Sequence, residues 1–193
     1  TSSAENVLNY SASNGLGNPS SAQLQANEKT VILTYSQSFS NGIATQLTVT
    51  NVEDLFGNAI SSITQPFLFF QQLPVNPKDI IITEIFADPS PQVGLPDAEF
   101  IEVYNRSINP IDLAGWKFSD GSSTAIFASK IILPNEYWIV CANTNLALFT
   151  PFGKTLGVSN FPTLNNSSDV LTLRSASNQT IDSISYIIDW YRD

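Results

Sequence analysis

Histidine and methionine are both missing from this 193-residue chain, and cysteine occurs only once. Without histidine the chain can form neither a Ser-His-Asp nor a Cys-His catalytic arrangement, and it lacks a principal zinc ligand. General acid–base chemistry would depend on carboxylates, tyrosine or lysine alone. The single cysteine, Cys141, cannot form an internal disulfide, and its apolar neighbours in EYWIVCA predict a buried hydrophobic side chain. We therefore predict that the chain is not an enzyme, has no catalytic residues and needs no cofactor.

Positive charge is also scarce, because 8 Lys and Arg residues stand against 17 Asp and Glu residues, for a net charge of −9. Binding to nucleic acid depends on clustered Lys and Arg, so we expect none here. No apolar run reaches the ~20 residues that a membrane-spanning helix needs, so we expect no membrane insertion.

Charged residues make up only 13% of the chain, which leaves a polar surface of Ser, Thr, Asn and Gln. That composition favours an extracellular, cell-surface or periplasmic location. Since methionine is absent even at position 1, we expect any targeting signal to lie outside this sequence.

The apolar residues follow a period of two in many short segments, which is typical of half-buried β-strands. The predicted strands are 30–36, 45–52, 65–70, 80–86, 99–105, 111–118, 137–141, 170–174 and 181–187. A short helical turn is predicted at 145–149. Many short strands separated by Gly, Pro, Asn and Ser predict an all-β chain of the sandwich or barrel type.

A change of pattern occurs in QQLPVNPK, which contains two prolines and no periodicity. Proline fixes φ and cannot donate a hydrogen bond to a sheet. We therefore predict a linker at 74–78 between a first domain, 1–73, and a second domain, 79–193.

Four segments of the second domain carry a family pattern. They are ITEIFADPSPQVGLPDAEFIEVYNRS, IDLAGWKFSDG, ILPNEYWIVC and NNSSDVLTLRSASNQTIDSISY. In this order and spacing, residues 79–193 resemble a lamin tail domain of the type found in bacterial extracellular proteins. The resemblance implies an immunoglobulin-like β-sandwich.

The first domain carries a G-x-x-x-x-L-T-V strand and a D-x-x-G-N turn, in NGIATQLTV and DLFGN. With these motifs, residues 1–73 are similar to the bacterial Ig-like domains of S-layer proteins. That family has one or two further strands at its start, so the resemblance implies a second, incomplete Ig-like β domain.

Two glutamates, Glu84 and Glu102, stand inside predicted apolar strands. Regular alternation places Glu84 on the same side of its strand as Ile82, and opposite to Ile85. A pair of acids could support acid–base chemistry, but no nucleophile or electrophile accompanies this pair. We favour two structural carboxylates that accept hydrogen bonds from the backbone or from Arg106.

Asp88, Asp97 and Glu99 bracket the loop ADPSPQVGLPDAE. Oxygen-rich loops can hold calcium, which takes about six to eight such ligands. The spacing matches no EF-hand, and loop solvation or turn capping explains the same residues. These three residues are our calcium candidates, whereas Asp182 is interpreted as a strand-edge residue.

Exposed tryptophan rings can stack on sugars, so Trp116, Trp138 and Trp190 bear on carbohydrate binding. In GWKFSDG and YWIVC we expect the rings to fill the sandwich core or its rim. Trp190 and Tyr191, near the acidic chain end, are expected to be exposed. Trp190, Tyr191 and Trp138 are therefore the candidates for contact with a ligand or partner.

The leading hypothesis is a non-catalytic structural or protein-binding module pair of a secreted or cell-surface bacterial protein. One alternative is a carbohydrate-binding module. Another is an accessory domain to a hydrolase or nuclease elsewhere in the same polypeptide. The partner would be a protein or a cell-envelope glycan, and the sequence leaves its identity and the oligomeric state open.

Overall fold

A computed structural model describes residues 1–191, apart from the side chains of Ile188 and Tyr191. The chain divides into two compact units on either side of the Gln71–Gln72 bond. The linker at 74–78 stays a prediction. Within the second unit, Val75 packs against the hydrophobic core, and the Lys78 N–H donates to the Ile181 carbonyl at 2.6 Å.

The first unit consists of one small sheet and one hairpin. Its strands are β1 (Tyr10–Ala12), β2 (Ser21–Leu24), β3 (Val31–Thr34), β4 (Ala44–Val49) and β5 (Ile63–Leu68), after 3₁₀ turns at Ser2–Glu5 and Val7–Asn9. The antiparallel sheet has the order β1-β4-β5, and β2 pairs with β3. Every residue of β5 is exposed, so the apolar rings of Phe67 and Phe69 lie at least partly at the surface.

The second unit is an immunoglobulin-like β-sandwich. Its strands are β6 (Ile80–Phe86), β7 (Phe100–Asn105), β8 (Ile111–Asp112), β9 (Lys117–Ser119), β10 (Thr124–Ile126), β11 (Ile131–Ile132), β12 (Tyr137–Ala142), β13 (Thr155–Val158), β14 (Ser168–Arg174) and β15 (Thr180–Ile187). The helix α1 (Leu146–Phe149) and 3₁₀ turns at Asn143–Asn145 and Ile188–Tyr191 complete it. The predicted all-β class and the predicted sandwich are confirmed.

The sandwich has two main sheets, in the orders β13-β12-β7-β6 and β10-β9-β14-β15, and a small β8–β11 pair. Alternate residues face inward, so Ile101 and Val103 from one sheet meet Leu171 and Leu173 from the other in one continuous core. Trp116 belongs to this core, as predicted. Burial of each large apolar side chain contributes about 1.5–3 kcal/mol, which makes this core the main source of stability.

Cys141 lies on the opposite face of its sheet, in a smaller cluster with Phe100 and with Phe149 of α1. Burial raises the pKa of its thiol to about 11. The prediction of a buried side chain is confirmed, and a thiol with that pKa stays protonated at neutral pH.

The prediction of a single strand at 111–118 is wrong in one respect, because the structure has two strands in this region, β8 and β9. A turn separates them, in which the Trp116 N–H donates to the Leu113 carbonyl at 2.9 Å. Gly115 takes a φ of +73° within this turn, a conformation that favours glycine. Strands β1, β2, β10, β11 and β13, which have two to four residues each, were not predicted, because their own residues and their flanks together show no clear alternation.

A buried carboxylate joins the two main sheets along one edge. Asp182 of β15 is only 4% exposed, and it accepts a 2.7 Å hydrogen bond from the Ile82 N–H of β6. The same carboxylate forms an ion pair with Lys78 and accepts from the Ser183 N–H at 2.8 Å. The interpretation of Asp182 as a strand-edge residue is therefore incomplete, since its carboxylate links the two main sheets through the hydrogen bond from Ile82.

We expect Asp182→Ala to lower the free energy of unfolding by about 2–4 kcal/mol, because the buried Ile82 N–H loses its acceptor. Urea unfolding followed by tryptophan fluorescence measures the change. Asp97→Ala is the matched control, since that carboxylate is exposed, and we expect a change below about 0.5 kcal/mol. A loss below about 1 kcal/mol in Asp182→Ala would show that this link is dispensable.

Candidate functional site

A groove runs beside the edge at which β6 and β15 approach each other. One part is a cavity of about 240 Å³ lined by Ile82, Thr83, Glu84, Ile85, Ile184 and Trp190. The next part, of about 410 Å³, is lined by Lys78, Ile81, Ile82, Arg106, Asp182, Ser183 and Ile184. Because both parts share Ile82 and Ile184, they form one surface, which we name the β6–β15 groove.

Trp190 forms the wall of one end of the groove. It lies in the 3₁₀ turn directly after β15 and is 58% exposed. Ile82 and Ile184 line the same cavity, so the exposed ring borders apolar side chains. The sequence-based prediction placed Trp190 at the surface, but it did not indicate what lies next to the ring.

A β-bulge shapes the same end. The pairing of β6 with β7 shifts register between Ile82 and Glu84, with Thr83 as the extra residue. Beyond the bulge Glu84 lies opposite Glu102, and Ile85 packs against the core. The predicted alternation, with Glu84 on the side of Ile82, is therefore wrong, because one inserted residue exchanges the two faces of the strand.

Like charges face each other at this point. Partial burial raises the pKa of Glu84, and the neighbouring Glu102 charge raises it further. Glu102 accepts a 2.7 Å hydrogen bond from the Thr83 hydroxyl, rather than from the backbone or Arg106 as predicted. The two carboxylates are thus neighbours, and the only side-chain hydrogen-bond donor recorded for either of them within residues 1–191 is the Thr83 hydroxyl.

The other end of the groove is cationic. Lys78 is paired with Asp182, which leaves little of its charge uncompensated. Arg106 is exposed, and its backbone N–H donates to the Asp79 carbonyl at 3.0 Å. In the part of the chain that the structure describes, the guanidinium of Arg106 takes part in neither of the two ion pairs, Lys78–Asp182 and Lys154–Glu136.

Trp138 lies away from the groove and is half-buried. Its indole N–H donates to Glu136 at 3.0 Å, and the ammonium groups of Lys130 and Lys154 lie 5.8 Å and 5.9 Å from the ring centre. Burial opposes ionisation of Glu136, but hydrogen bonds from Lys154 and Trp138 outweigh it and lower the pKa of this carboxyl. The contacts of Trp138 favour a structural role, and its role as a ligand residue stays a prediction.

The three calcium candidates each have a different partner. Asp88 accepts from the Asn166 side chain at 3.0 Å, and Asp97 accepts from the Ser90 hydroxyl at 2.7 Å. Glu99 accepts from the Leu164 N–H at 3.1 Å, and burial raises its pKa. Within residues 1–191, three or more Asp, Glu, Cys or His side chains nowhere converge as a metal site would require. Calcium binding by these residues stays a prediction.

The side chain of Tyr191, the remaining candidate, lies outside the described residues. The sequence did not point to Ile184 or Thr83 as site residues. They come together with Trp190 because strands about 100 positions apart in the chain are neighbours at this edge, which no local pattern indicates. The helices described within residues 1–191 are all too short or too polar to cross a membrane.

Comparisons with known proteins find a family model that matches this chain. A family model described as Lamin Tail Domain matches residues 74–187, which is more than half of the chain. Among the solved structures, the chain is similar to the crystal structure of a DUF4876 family protein from Bacteroides thetaiotaomicron VPI-5482. That similarity has a TM-score of 0.34 at 12% identity, and it covers 75% of this chain and 58% of the other. The chain thus spans less than two thirds of that structure, and no curated protein matches it significantly.

We expect Glu84→Gln to stabilise the second unit at pH 7 by about 0.2–1 kcal/mol, because it removes the like-charge contact with Glu102. Folding raises the pKa of Glu84, so the ionised form is disfavoured in the folded state, and protonation below the unfolded pKa relieves this cost. The gain should therefore be present at pH 7 and vanish as the pH falls below about 4. Thermal unfolding of both proteins at the two pH values measures it.

Glu53→Gln is the control, since Glu53 is an exposed carboxylate of the first unit. A Glu84→Gln variant that is less stable than the wild type at pH 7 would contradict the repulsion.

Proposed function

Because this chain belongs to the lamin tail domain family, we propose that it is a binding and spacer module pair of a secreted or cell-surface bacterial protein, and that it holds a segment of a partner protein in the β6–β15 groove. The lamin tail domain is a non-catalytic immunoglobulin-like fold. A role in binding agrees with this, because surface loops and sheet edges can contact partners without catalytic residues.

The observation that carries the proposal is that the exposed ring of Trp190 lines the same cavity as Ile82 and Ile184. Tryptophan is among the residues that contribute most to protein interfaces, especially next to a concave apolar surface. Residues of β6 from Ile81 to Ile85 line the two parts of the groove, an arrangement suited to an extended segment. The 58% exposure of Trp190 leaves a large apolar area that a partner would cover.

For the first unit we propose an incomplete immunoglobulin-like domain of the S-layer type. The exposure of Ile63, Phe67 and Leu68 of β5, at 36–40% each, supports this, because a β-strand with large apolar side chains is ordinarily covered on one face. Pro66 in the middle of β5 fits an edge position, since proline is confined to the edges of sheets. In this proposal the first unit acts as a spacer.

A carbohydrate is the second candidate ligand. Trp190 favours it, because exposed aromatic rings beside hydroxyl and carboxylate groups can bind sugars, and Thr83 and Glu84 line the same cavity. The two candidates differ in what they require, since a sugar needs one ring and a few polar groups, whereas a protein segment would use the length of the groove.

A displayed library of random dodecapeptides distinguishes the candidates. We expect peptides enriched on the wild-type chain to bind Trp190→Ala at least about tenfold more weakly, because the variant removes the largest apolar contact. Ile108→Ala is the matched control, because Ile108 is a 90% exposed apolar residue of the same unit outside the groove. Circular dichroism and thermal unfolding establish that both variants are folded.

Two outcomes would overturn the proposal. Enriched peptides that bind both variants equally would place the contact elsewhere, and Trp190-dependent binding on a glycan array without peptide binding would establish the carbohydrate candidate. Turnover of a nucleotide, ester or glycoside substrate by the purified chain would contradict the non-catalytic role.

A further inference from the structure

We propose that the β6–β15 groove selects an extended protein segment that carries a cationic side chain, an apolar side chain and an acidic side chain at alternate positions. The cationic side chain would lie between Trp190 and Glu84, the apolar one over Ile184, and the acidic one beside Arg106. This inference rests on the proposed function, and it specifies the chemistry of the partner.

The Trp190 end is complementary to a cation in two ways. Glu84 lines the cavity and faces Glu102 across the strand pair, so two carboxylates repel each other there. A bound ammonium or guanidinium group would offset that repulsion. The exposed indole of Trp190 lines the same cavity, and indole is the ring to which cations bind most strongly.

The Arg106 end is complementary to an anion. Lys78 is held by Asp182, so Arg106 carries the available positive charge of this part of the groove. A guanidinium group can donate two parallel hydrogen bonds to one carboxylate, which gives this contact a defined geometry. The groove therefore changes sign along its length, although the chain as a whole has a net charge of −9.

The distance between the ends sets the spacing of the partner residues. Glu84 lies opposite Glu102 in β7, and Arg106 follows four residues later. At about 3.3 Å per residue this separation is about 13 Å along the strand. In an extended segment, residues i, i+2 and i+4 share one face and cover that length. The central residue then lies over Ile82 and Ile184, which both parts of the groove share.

Heptapeptides of defined charge test the inference. The probe is the acetylated, amidated peptide Ser-Arg-Ser-Leu-Ser-Glu-Ser, and its comparison peptides carry Gln in place of Arg, of Glu or of both. Titration into the ¹⁵N-labelled chain, followed at the Trp190 indole N–H, gives each Kd. We expect the Arg/Glu peptide to bind at least about fivefold more tightly than the Gln/Gln peptide, as two exposed ion pairs would provide. Added salt should reduce the difference.

Two variants assign each charge to its site. Glu84→Gln should abolish the preference for Arg over Gln in the peptide and leave the preference for Glu over Gln intact. Arg106→Gln should abolish the preference for Glu over Gln and leave the preference for Arg over Gln intact. Glu53→Gln is the matched control in the first unit, and it should change neither preference. Thermal unfolding shows that each variant is folded.

The results separate this inference from the proposed function. If all the peptides shift the Trp190 signal with Kd values within about twofold, the groove binds peptides without charge selection and the inference is wrong. If no heptapeptide shifts the signal at millimolar concentration, the inference is also wrong. The displayed library then decides the proposed function independently, because it samples other chemistries and lengths.

Discussion

The buried carboxylate of Asp182 links the two main sheets of the second unit, whose edge strands β6 and β15 are not paired with each other in the described part of the chain. It accepts from the Ile82 N–H on one sheet while belonging to the other, and its ion pair with Lys78 compensates its charge. A buried carboxylate without such partners would cost several kcal/mol, so the two sheets must stay together at this position. The β6–β15 groove lies directly beside this link, and its two parts meet at Ile82. The residue that links the two sheets therefore also lines the groove.

The bulge at Thr83 is the second determinant of the site. An uninterrupted ladder would keep Glu84 on the side of Ile82, among core residues, where a carboxylate would need a buried partner. The extra residue instead directs Ile85 to the core and brings Glu84 opposite Glu102. This arrangement carries a repulsion that regular pairing would avoid, and natural proteins commonly place such local costs at binding sites. The stabilisation expected of Glu84→Gln is the measure of that cost.

Sequence patterns were sufficient for the class of the fold and for most of the longer strands, because alternation over five or more residues is a property of the strand itself. Burial of Trp116 and Cys141 also followed from their apolar neighbours. The patterns failed where a structure depends on pairing between distant segments. The bulge at Thr83 is defined only against β7, and the role of Asp182 only against Ile82. For the same reason Trp190 could be predicted as exposed, but not as part of a groove with Ile184.

The hydrogen-bond partners and charged neighbours of each carboxylate distinguish structural acids from candidate contact residues. Asp88, Asp97 and Glu99 attracted attention as a loop of acids, yet each accepts a hydrogen bond from a nearby side chain or N–H of its own unit. Such groups gain little from a ligand, because binding would first have to displace an existing partner. Glu84 is different, since its principal charged neighbour is another carboxylate. A partner that brings a cation would remove an unfavourable interaction as well as form a favourable one, and for this reason the groove is a stronger candidate than the acidic loop.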